Sequence, residues 1–508
     1  MQLTQGLRRS QFLYSDRIAT IFAERETYWG QLAARVARLA GSLHTKGARP
    51  GDRIAILAAN SDRYVEVYYA IAWAGCVAVP FNTRWATAEI EYAIADSQPV
   101  MIFVDRHFAK HAEECAKRGV PVLGMDESCG GASLEQLVEA GKILPDHCGT
   151  GDDLAGIFYT GGTTGRSKGV MLSHANLLTN FLLVHAVAPY EPDTIFLHTP
   201  PMFHLADANQ LFGLTMLGAT HVILPSFDAI AAILAIERYR ITGLVLVPTM
   251  IGMLCEALRL KHADMSSVRR LTYGASPISG ALLQRALSAL PNARFCQAYG
   301  QTELSPCVTL LDHDAHLAGL LDSAGCPLPT VDVRIVDEAM RDVDGGRIGE
   351  IVAKGPCVML GYWGQPALTA ATIVDGWVRT GDAGYFDPNG YLFLIDRIKD
   401  MIVSGGENVY SVEVESVLLR HPEVLQCAVI GIPDEHWGEA VHAVLQVRPG
   451  SLVTSADLAA HCEPLIANYK RPKSYDLQEE SLPLSGVGKI LKTELRRPFW
   501  GGRTRNIA

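Results

Sequence analysis

Residues 159–170 of the chain read Tyr159-Thr160-Gly161-Gly162-Thr163-Thr164-Gly165-Arg166-Ser167-Lys168-Gly169-Val170. The apolar residues 155–159 predict a buried strand before this loop, and a helical pattern begins at His174 after it. Glycine lets the backbone turn its N–H groups towards one point, and the hydroxyls and Lys168 add further donors. The loop therefore suits a polyanionic phosphate chain, although its spacing is not that of a Walker loop. The alternative is a flexible surface loop, which the buried strand and the lysine disfavour.

The size and composition of the chain restrict its class. At 508 residues it is too long for one ordinary core, so two or more domains are expected. Hydrophobic residues make up 48% and charged residues 19%, which is typical of a packed globular enzyme rather than a disordered chain. A net charge of −10 argues against a nucleic-acid partner, since such binders usually carry a basic surface.

Cysteine usage and hydropathy predict the compartment. The eleven cysteines are scattered without a CxxC pair, which favours single reduced thiols over a disulfide framework or a zinc site. Residues 1–17 lack the continuous apolar run of a signal peptide. No stretch approaches the ~18 apolar residues of a membrane span. We therefore expect a cytoplasmic protein without a transmembrane segment.

Helical patterns alternate with short apolar strands along most of the chain. Before the loop, helices are predicted at residues 28–48 and 64–74, and strands at 53–57, 76–79, 100–104 and 120–123. After the loop, helices are predicted at 211–217 and 230–239, and strands at 194–198, 221–224, 243–247, 270–273 and 293–297. This alternation indicates an α/β fold with largely parallel sheets, arranged as subdomains of a large N-terminal domain.

The character of the sequence changes near residue 396. Turn-rich segments at 349–353 and 391–395 predict a β-rich subdomain. A shorter α/β piece follows, with helices predicted at 413–420 and 455–462 and strands at 424–430 and 441–447. We place the boundary within residues 396–400, which gives an N-terminal domain of residues 1–396 and a small C-terminal domain of residues 397–508.

Five further stretches place polar residues at strand ends or tight turns. They are Pro201-Met202-Phe203-His204, Tyr273-Gly274-Ala275-Ser276-Pro277, Tyr299-Gly300-Gln301-Thr302-Glu303, Arg379-Thr380-Gly381-Asp382 and Leu484-Ser485-Gly486-Val487-Gly488-Lys489. On chemistry alone, Glu303 is either a magnesium ligand or a solvated surface charge. The Asp382 carboxylate suits a ribose diol, whereas His204 is more simply a packed core histidine and Lys489 an exposed lysine.

In this order, the loop and the five stretches resemble the adenylate-forming acyl-CoA synthetase family, which also includes nonribosomal-peptide adenylation domains and beetle luciferases. The resemblance runs from about residue 10 to residue 497. It implies that the carboxylate of an acid attacks the α-phosphate of MgATP, giving an acyl-adenylate and pyrophosphate. The thiol of coenzyme A then displaces AMP and forms a thioester. For such a reaction the protein mainly supplies alignment and neutralisation of phosphate charge.

The resemblance also implies roles for individual residues. Lys489 would bridge the substrate carboxylate and the α-phosphate, while Thr302 and Glu303 would serve the α-phosphate and the magnesium ion. The other ATP contacts would come from Thr160, Gly161, Gly162, Thr163, Thr164, Gly165 and Lys168 at the phosphates, from Gly274, Ala275, Ser276 and Tyr299 at the adenine, and from Asp382 and Arg397 at the ribose.

The small domain of this family is mobile and rotates between the two half-reactions. Lys399 matches the hinge position, and an exposed linker lysine is the alternative. After rotation, the coenzyme A contacts would be Ser404, Gly405 and Gly406 at the pantetheine tunnel, with Trp437, Arg471 and Lys473 nearby. Arg471 and Lys473 would be attracted to a nucleotide phosphate of coenzyme A; the alternative is that both are ordinary surface charges.

The identity of the acid follows least directly from the sequence. Family members that take small dicarboxylates often place an arginine after the Pro-Thr pair at 248–249, where this chain has Met250. An apolar wall favours an uncharged chain or ring, because a buried second carboxylate without a cation is costly. The wall would be formed by His204, Leu205, Met250, Ala298 and Pro306. We predict a medium- or long-chain fatty acid or an aromatic acid.

Two other functions stay open at this point. The enzyme would deliver its acyl group to a carrier-protein thiol, or the chain would be a non-enzymatic ATP-binding protein on the same fold. The presence of Lys168, Glu303 and Lys489 disfavours the second hypothesis, and no residue indicates luciferase-like oxygenation. The predicted partners are the small-molecule acid, ATP and coenzyme A, and a homodimer is left open.

Overall fold

A computed structural model describes residues 1–127, 131–160, 167–276, 278–398, 400–404, 407–434, 437–485 and 488–501. Within these residues the chain forms an α/β fold with a large N-terminal part and a small C-terminal part. The α-helices are Leu3–Tyr14, Trp29–Thr45, Asp62–Trp73, Thr87–Ser97, Ala109–Lys117, Leu134–Ala140, His174–Val187, Leu205–Leu217, Ala229–Tyr239, Pro248–Leu260, Gly280–Ala289, His313–Leu317, Pro366–Thr372, Ser411–Leu418, Ser455–Cys462 and Lys492–Trp500. None of the described helices is long and apolar enough to cross a membrane.

The first sheet contains the strand that leads into the glycine-rich loop. Its strands, in spatial order, are Gly361–Tyr362, Lys168–Ser173, Leu154–Thr160, Val77–Pro80, Arg53–Leu57, Met101–Val104 and Val122–Gly124. The pairings are parallel from Leu154–Thr160 to the Val122–Gly124 edge, whereas Lys168–Ser173 returns antiparallel to Leu154–Thr160. The loop therefore connects two neighbouring strands at the carboxyl end of the parallel strands.

Burial on both faces explains why the strands of the first sheet are apolar without interruption. Ile54 and Ile56 pack into the cluster beneath one face, and Ala55 and Leu57 pack into the cluster on the other. All four side chains are buried. A parallel strand covered by helices on both faces cannot show the polar–apolar alternation of a half-exposed strand.

The second sheet is parallel in one half and antiparallel in the other. The parallel strands, in spatial order, are Ile18–Phe22, Thr220–Ile223, Ile195–His198, Gly243–Leu246, Arg270–Gly274 and Arg294–Tyr299. The antiparallel strands are Thr309–Leu311, Ser323–Pro327, Leu392–Arg397, Trp377–Phe386, Gly349–Lys354 and Asp332–Val336, with Arg25–Tyr28 and Ile373–Val374 at the margins. The predicted β-rich segment thus continues the second sheet, joined to it where Ser323–Pro327 pairs with Leu392–Arg397.

The small C-terminal part is built on a sheet of its own. Its strands are Glu407–Val409, Ile402–Ser404, Gly438–Val447, Val424–Asp434 and Ser474–Gln478. Along Val424–Asp434, the side chain of Val429 packs with helices Ser411–Leu418 and Ser455–Cys462, while Ala428 and Ile430 pack on the opposite face near Leu495. Helix Lys492–Trp500, which begins three residues after Lys489, therefore covers the second face of this sheet.

The α/β prediction is confirmed, and most predicted elements occur within one to three residues of their expected bounds. The exception in the N-terminal part is the helix predicted at 211–217, which begins at Leu205. Three polar residues interrupt its apolar pattern in the sequence, yet each is buried and bonded to a distant partner. The pairs are Asp207 with His198, Asn209 with Asn180, and Gln210 with Tyr190. Strand Arg294–Tyr299 also extends two residues past its prediction, so Tyr299 ends the strand.

Candidate active site

The glycine-rich loop is bounded by two strand residues that face each other. Thr160 ends one strand and pairs in register with Lys168, the first residue of the next. Of the predicted phosphate contacts, Gly161, Gly162, Thr163, Thr164 and Gly165 lie outside the described residues. Thr160 and Lys168 therefore mark where the two ends of the predicted phosphate loop meet the sheet.

A cation, a phenol and a carboxylate lie together beside the loop. The Lys168 ammonium lies 5.4 Å from the ring centroid of Tyr362. The Tyr362 hydroxyl donates a 2.8 Å hydrogen bond to Oε1 of Glu303, whose side chain is buried. Burial and the Glu303 charge raise the pKa of Tyr362, so its hydroxyl remains a donor. A buried carboxylate held in this way suits a hard cation such as Mg²⁺ next to a polyphosphate.

A second polar group joins the end of one strand to the edge of the antiparallel half. The Tyr299 hydroxyl donates to Oδ2 of Asp382 at 2.8 Å, and Arg397 Nε binds Oδ1 of the same carboxylate at 2.6 Å. Asp382 and Arg397 are register partners on adjacent strands. Burial, then Asp382, raises the pKa of Tyr299 well above its ordinary value. Burial alone would lower the pKa of Arg397, but Asp382 and Tyr299 raise it overall, so the guanidinium stays charged.

The predicted adenine residues follow the strand beside Tyr299. Gly274 ends strand Arg270–Gly274 and pairs in register with Ala298. A Cβ added to Gly274 would lie 2.2 Å from the Ala298 carbonyl oxygen, so the two strands approach too closely for a side chain there. Ala275 has φ of +66°, a left-handed turn that directs the chain away from the sheet. Ser276 is half-buried, and Pro277 lies outside the described residues.

The predicted acid-binding residues are brought together only in part. Met250 is buried in helix Pro248–Leu260 and packs in one cluster with Val247, Tyr273 and Phe295. Ala298 is half-buried opposite Gly274, and Pro306 is half-buried with its carbonyl oxygen close to Gly300. Leu205, in contrast, is 3% exposed and packs into the core beneath the first sheet, so its side chain is already occupied by core contacts.

His204 immediately precedes helix Leu205–Leu217, and one nitrogen of its ring lacks a hydrogen-bond partner among the described residues. Its Nε2 is buried and has no hydrogen-bond partner in the described part of the chain. Burial, together with the positive charge of Arg84, lowers the pKa of His204 to about 3, so the ring is neutral at physiological pH. A neutral imidazole with a free buried nitrogen can accept or donate one hydrogen bond to a ligand.

The loop that carries Lys489 lies against the N-terminal part. Arg84 Nη1 donates a 2.6 Å hydrogen bond to the Ser485 carbonyl oxygen. A Cβ at Gly488, which has φ of +77°, would lie 2.9 Å from Oγ1 of Thr249. This proximity places the loop next to the residue pair that precedes Met250. Gly486 and Val487 lie outside the described residues.

The Lys489 ammonium belongs to the same group of charges as Asp382. Burial lowers its pKa, the neighbouring Arg397 lowers it further, and Asp382 acts in the opposite direction. The residue as a whole is nevertheless exposed. Both observations agree if the ammonium lies in a cleft, where many protein atoms reduce its hydration but solvent still enters. The charges of Asp382 and Arg397 are therefore near enough to act on the Lys489 ammonium, although these residues are about 90 to 110 positions apart in the sequence.

The predicted coenzyme A contacts and the hinge are more dispersed. Lys399, Gly405 and Gly406 lie outside the described residues. Ser404 is buried at the end of a strand. Two of the remaining predicted contacts, Trp437 and Lys473, lie together: the Lys473 ammonium is 6.0 Å from the Trp437 ring centroid, and 44% of Trp437 is exposed.

The third predicted contact, Arg471, already has partners within its own domain. Its guanidinium donates to the Glu463 and Ile466 carbonyl oxygens and lies 3.5 Å from the Glu463 carboxylate. Arg471 is therefore less available to a phosphate than Lys473, a difference that the sequence motif does not reveal.

A buried charge network around Lys492 was not predicted. Lys492 Nζ donates to Oγ of Ser411 at 2.5 Å and pairs with Glu415 at 2.6 Å. Ser411 in turn donates from its backbone N–H and its hydroxyl to Asp396, at the predicted domain boundary. Arg496, one turn further along the helix, pairs with Asp400 at 2.8 Å. In the sequence, the only indication of this network was that Lys492 lies three residues after the predicted catalytic Lys489.

A surface cavity of about 550 Å³ lies apart from these residues. It is lined by Arg25, Glu26, Thr27, Gln31, Ala34, Arg35, Arg38, Arg63, Val138 and Glu139. Its arginines are largely paired: Arg25 with Asp62, and both Arg35 and Arg63 with Glu66 and Glu135. The cavity therefore offers little uncompensated charge to a ligand.

Comparison with known proteins identifies the family. The family model described as AMP-binding enzyme matches residues 7–363, and the AMP-binding enzyme C-terminal domain matches residues 413–489. A feruloyl-CoA synthase from an Amycolatopsis species is 40% identical over 472 residues, covering 93% of this chain and 94% of that protein. The fatty acid–[acyl-carrier-protein] ligase ScoC of Streptomyces coeruleorubidus is 36% identical, covering 96% of this chain and 95% of that protein.

Solved structures show the same fold over nearly the whole chain. ATP-bound MatB from Rhodopseudomonas palustris has a TM-score of 0.89 and 31% identity, covering 98% of this chain and 99% of its own. O-succinylbenzoate coenzyme A synthetase from Bacillus subtilis, in complex with ATP and magnesium ion, has a TM-score of 0.86 and 29% identity, covering 96% and 98%. The resemblance deduced from the motifs is therefore confirmed: the chain belongs to the AMP-binding, adenylate-forming enzymes and is an acid–thiol ligase.

Proposed function

We propose that the enzyme activates an aromatic carboxylic acid with MgATP and transfers the acyl group to coenzyme A. In the first step a carboxylate oxygen bonds to the α-phosphorus of ATP and pyrophosphate leaves. In the second, the coenzyme A thiol loses its proton and attacks the acyl carbon, and AMP leaves as the thioester forms. The observation that carries the proposal is the apolar wall around Met250, in a family whose reaction is acid activation.

The wall supports a ring-sized acid over a long chain. Met250 belongs to one core cluster with Tyr273 and Phe295, whose side chains are both no more than 1% exposed. A close-packed core does not open a channel for an extended chain without costly rearrangement. The position after Thr249 carries Met250 rather than a cation, so this wall offers no partner to a second carboxylate on the acid. The feruloyl-CoA synthase relative, at 40% identity, agrees with an aromatic acid.

The charged groups of the cleft have natural tasks in nucleotide binding. Thr160, Lys168 and the loop residues between them would hold the phosphates, and Thr302 would serve the α-phosphate. Glu303 would hold Mg²⁺, which when bound neutralises phosphate charge. Asp382 keeps acceptor capacity for ribose hydroxyls while Tyr299 and Arg397 fix its orientation. Lys489 would offset the negative charge that accumulates between the acid and the α-phosphate.

The proposal extends to the second half-reaction. The small domain, residues 397–508, would rotate about a hinge near Lys399 so that Ser404, Gly405 and Gly406 meet the pantetheine arm. Trp437 and Lys473 offer an exposed aromatic face and a cation to the nucleotide end of coenzyme A. Arg471 would contribute only if its contacts with Glu463 and two carbonyl groups were exchanged for the ligand.

A carrier-protein acceptor is the second candidate. The ScoC relative delivers its acid to an acyl carrier protein, as its name states. The internal bonding of Arg471 also weakens one electrostatic argument for free coenzyme A.

A pyrophosphate-release screen distinguishes these possibilities. Ferulate, a long-chain fatty acid and malonate are each offered with MgATP, with and without coenzyme A or an acyl carrier protein. We expect pyrophosphate release with ferulate and feruloyl-CoA formation when coenzyme A is added. Turnover of malonate comparable to that of ferulate would contradict the aromatic assignment. Thioester formation on the carrier protein alone would establish the second candidate.

A further inference from the structure

The segment that carries Arg84 is anchored beside the glycine-rich loop. Phe81 and Trp85 both pack edge-on or tilted in one aromatic cluster with Tyr159, at centroid distances of 6.4 and 5.7 Å. Tyr159 is itself fixed by a 2.6 Å hydrogen bond to Asp96. The Arg84 backbone N–H donates to the Asn82 side chain at 2.9 Å. Arg84 therefore projects from a rigid support that ends where the predicted phosphate loop begins.

The guanidinium of Arg84 meets a turn of the Lys489 loop. The Ser485 carbonyl oxygen that accepts from Arg84 at 2.6 Å also accepts the Gly488 N–H at 2.9 Å. Ser485 further holds Lys489 through two bonds: its N–H donates to the Lys489 carbonyl at 2.7 Å, and its Oγ accepts the Lys489 N–H at 3.1 Å. Ser485 and Lys489 thus form one small hydrogen-bonded unit, and Arg84 holds it from the opposite domain.

The charge of Arg84 also acts on His204, one of the predicted acid-site residues. Its charge is close enough to contribute to the low pKa of His204, whose buried Nε2 has no partner in the described part of the chain. The guanidinium that holds the backbone of the lysine loop therefore also influences a residue of the predicted acid site. Aside from Arg84, the contact of this loop with the N-terminal part includes the approach of Gly488 to Thr249.

We propose that Arg84 is a positioning residue for acyl-adenylate formation: it fixes the Lys489 loop against the acid site through the Ser485 carbonyl oxygen. This inference rests on the proposed function, because it assumes that Lys489 acts in the first half-reaction. A charge-assisted hydrogen bond to a carbonyl oxygen is stronger than a neutral one, and its geometry sets where the loop stops. When the small domain rotates for thioester formation the bond is broken, so Arg84 contributes nothing to that step.

The test separates the two half-reactions in Arg84→Gln and Arg84→Lys. Adenylation is measured by ATP–pyrophosphate exchange with ferulate, and transfer is measured from supplied feruloyl-adenylate to coenzyme A. We expect Arg84→Gln to lower the exchange kcat by about 10- to 100-fold and to leave transfer within about twofold. Arg84→Lys should recover part of the exchange rate, because an ammonium still donates to the carbonyl. Arg347→Gln, at a 74% exposed arginine, is the matched control and should change neither rate.

Three kinetic outcomes overturn the proposal. One is an equal loss of rate in both half-reactions of Arg84→Gln, and another is an unchanged rate of ATP–pyrophosphate exchange. A higher KM for ferulate with unchanged kcat is the third, since it would make Arg84 a direct substrate contact. Amide hydrogen exchange of residues 484–491 gives a readout that does not depend on turnover. Arg84→Gln should accelerate this hydrogen exchange, and an unchanged hydrogen-exchange rate argues against the contact. A wild-type enzyme inactive with every acid would instead overturn the proposed function.

Discussion

The Tyr299 hydroxyl donates a 2.8 Å hydrogen bond to the Asp382 carboxylate, across 83 residues of sequence and between two segments of the second sheet. Arg397 holds the other oxygen of that carboxylate at 2.6 Å. Asp382 is 7% exposed, so it is a nearly buried charge whose orientation is fixed from both sides. If this carboxylate binds the ribose, as we propose, such pre-organisation would lower the cost of ordering the site.

Replacing Asp382 tests whether this group binds the nucleotide. Asp382→Asn keeps the shape but removes the charge that Arg397 needs, so we expect the KM for ATP to rise by about 10- to 100-fold. Tyr299→Phe removes only the hydroxyl that donates to Asp382, and it should raise the KM for ATP a few-fold. Steady-state kinetics with varied ATP, with thermal unfolding as a folding control, measures both variants. An unchanged KM in Asp382→Asn would exclude the carboxylate as a nucleotide contact.

Lys489→Ala tests the role of the late lysine. The substitution removes the cation that would offset charge between the acid and the α-phosphate, and losses of this kind reach about 100- to 1,000-fold in catalysis. Pyrophosphate exchange should therefore fall by that order, while transfer from supplied acyl-adenylate to coenzyme A should be retained. The exposed Lys354→Ala serves as the control. Equal loss in both steps would assign Lys489 to folding or to domain closure instead.

The low pKa of Lys489 also predicts a pH dependence. Burial and Arg397 favour the neutral amine, so the lysine of the free enzyme loses its proton below the usual 10.5. Since the protonated form is the active one, kcat/KM for adenylation should fall as pH rises through that lowered pKa. Bound polyphosphate adds negative charge and raises the pKa again, so the alkaline limb of kcat should lie at higher pH. Coincident limbs for kcat and kcat/KM would contradict this account.

Local pattern was enough to predict much of the fold. Strand Arg53–Leu57 and helix Ser455–Cys462 have the bounds expected from the sequence, because their apolar residues and flanking turns are contiguous. The helix beginning at Leu205 was shortened in the prediction because Asp207, Asn209 and Gln210 interrupt its pattern. Their partners lie on other elements, and a local pattern contains no information about such pairs.

The residues of the candidate site also fall into those that the sequence predicted and those that only the structure revealed. Glu303, Asp382 and Lys489 were predicted because the resemblance assigns them a role, and the structure adds which side chains bind the carboxylates of Glu303 and Asp382. Arg84 and Lys492 were not predicted, since Arg84 binds a distant backbone carbonyl oxygen and Lys492 pairs with residues on a separate segment. Arg471 matched a motif, but its bonds to Glu463 were visible only in three dimensions.

Met250→Arg tests the acid wall. A guanidinium at this buried position, in the core cluster that contains Tyr273 and Phe295, would be costly without a carboxylate partner, and it would fill part of the proposed acid pocket. We expect exchange with ferulate to fall at least tenfold, roughly 1.4 kcal/mol, and exchange with malonate to become relatively more favourable. Met250→Leu, which conserves volume, is the matched control. Unaltered preference between the two acids would show that Met250 does not line the pocket.

The Lys492 network predicts a coupling between two buried charges. Lys492 and Glu415 are 15% and 14% exposed, and Asp396 and Asp400 add to the negative charge around the ammonium. Burial alone would lower the pKa of Lys492, but these carboxylates raise it overall, while burial raises the pKa of Glu415, so the arrangement depends on the ammonium being present.

Removing that ammonium should destabilise the small domain. Lys492→Met leaves Glu415 buried without its partner, which costs about 3 kcal/mol and corresponds to roughly 100-fold faster hydrogen exchange in strand Val424–Asp434. The double variant Lys492→Met, Glu415→Leu removes both charges and should regain most of the protection, because apolar side chains of similar size can replace a buried pair. Arg496→Met, which breaks the separate pair with Asp400, controls for general loosening of helix Lys492–Trp500. If the double variant exchanges as fast as Lys492→Met, then Glu415 is stabilised by other groups, such as the Val429 N–H that donates to it at 2.7 Å.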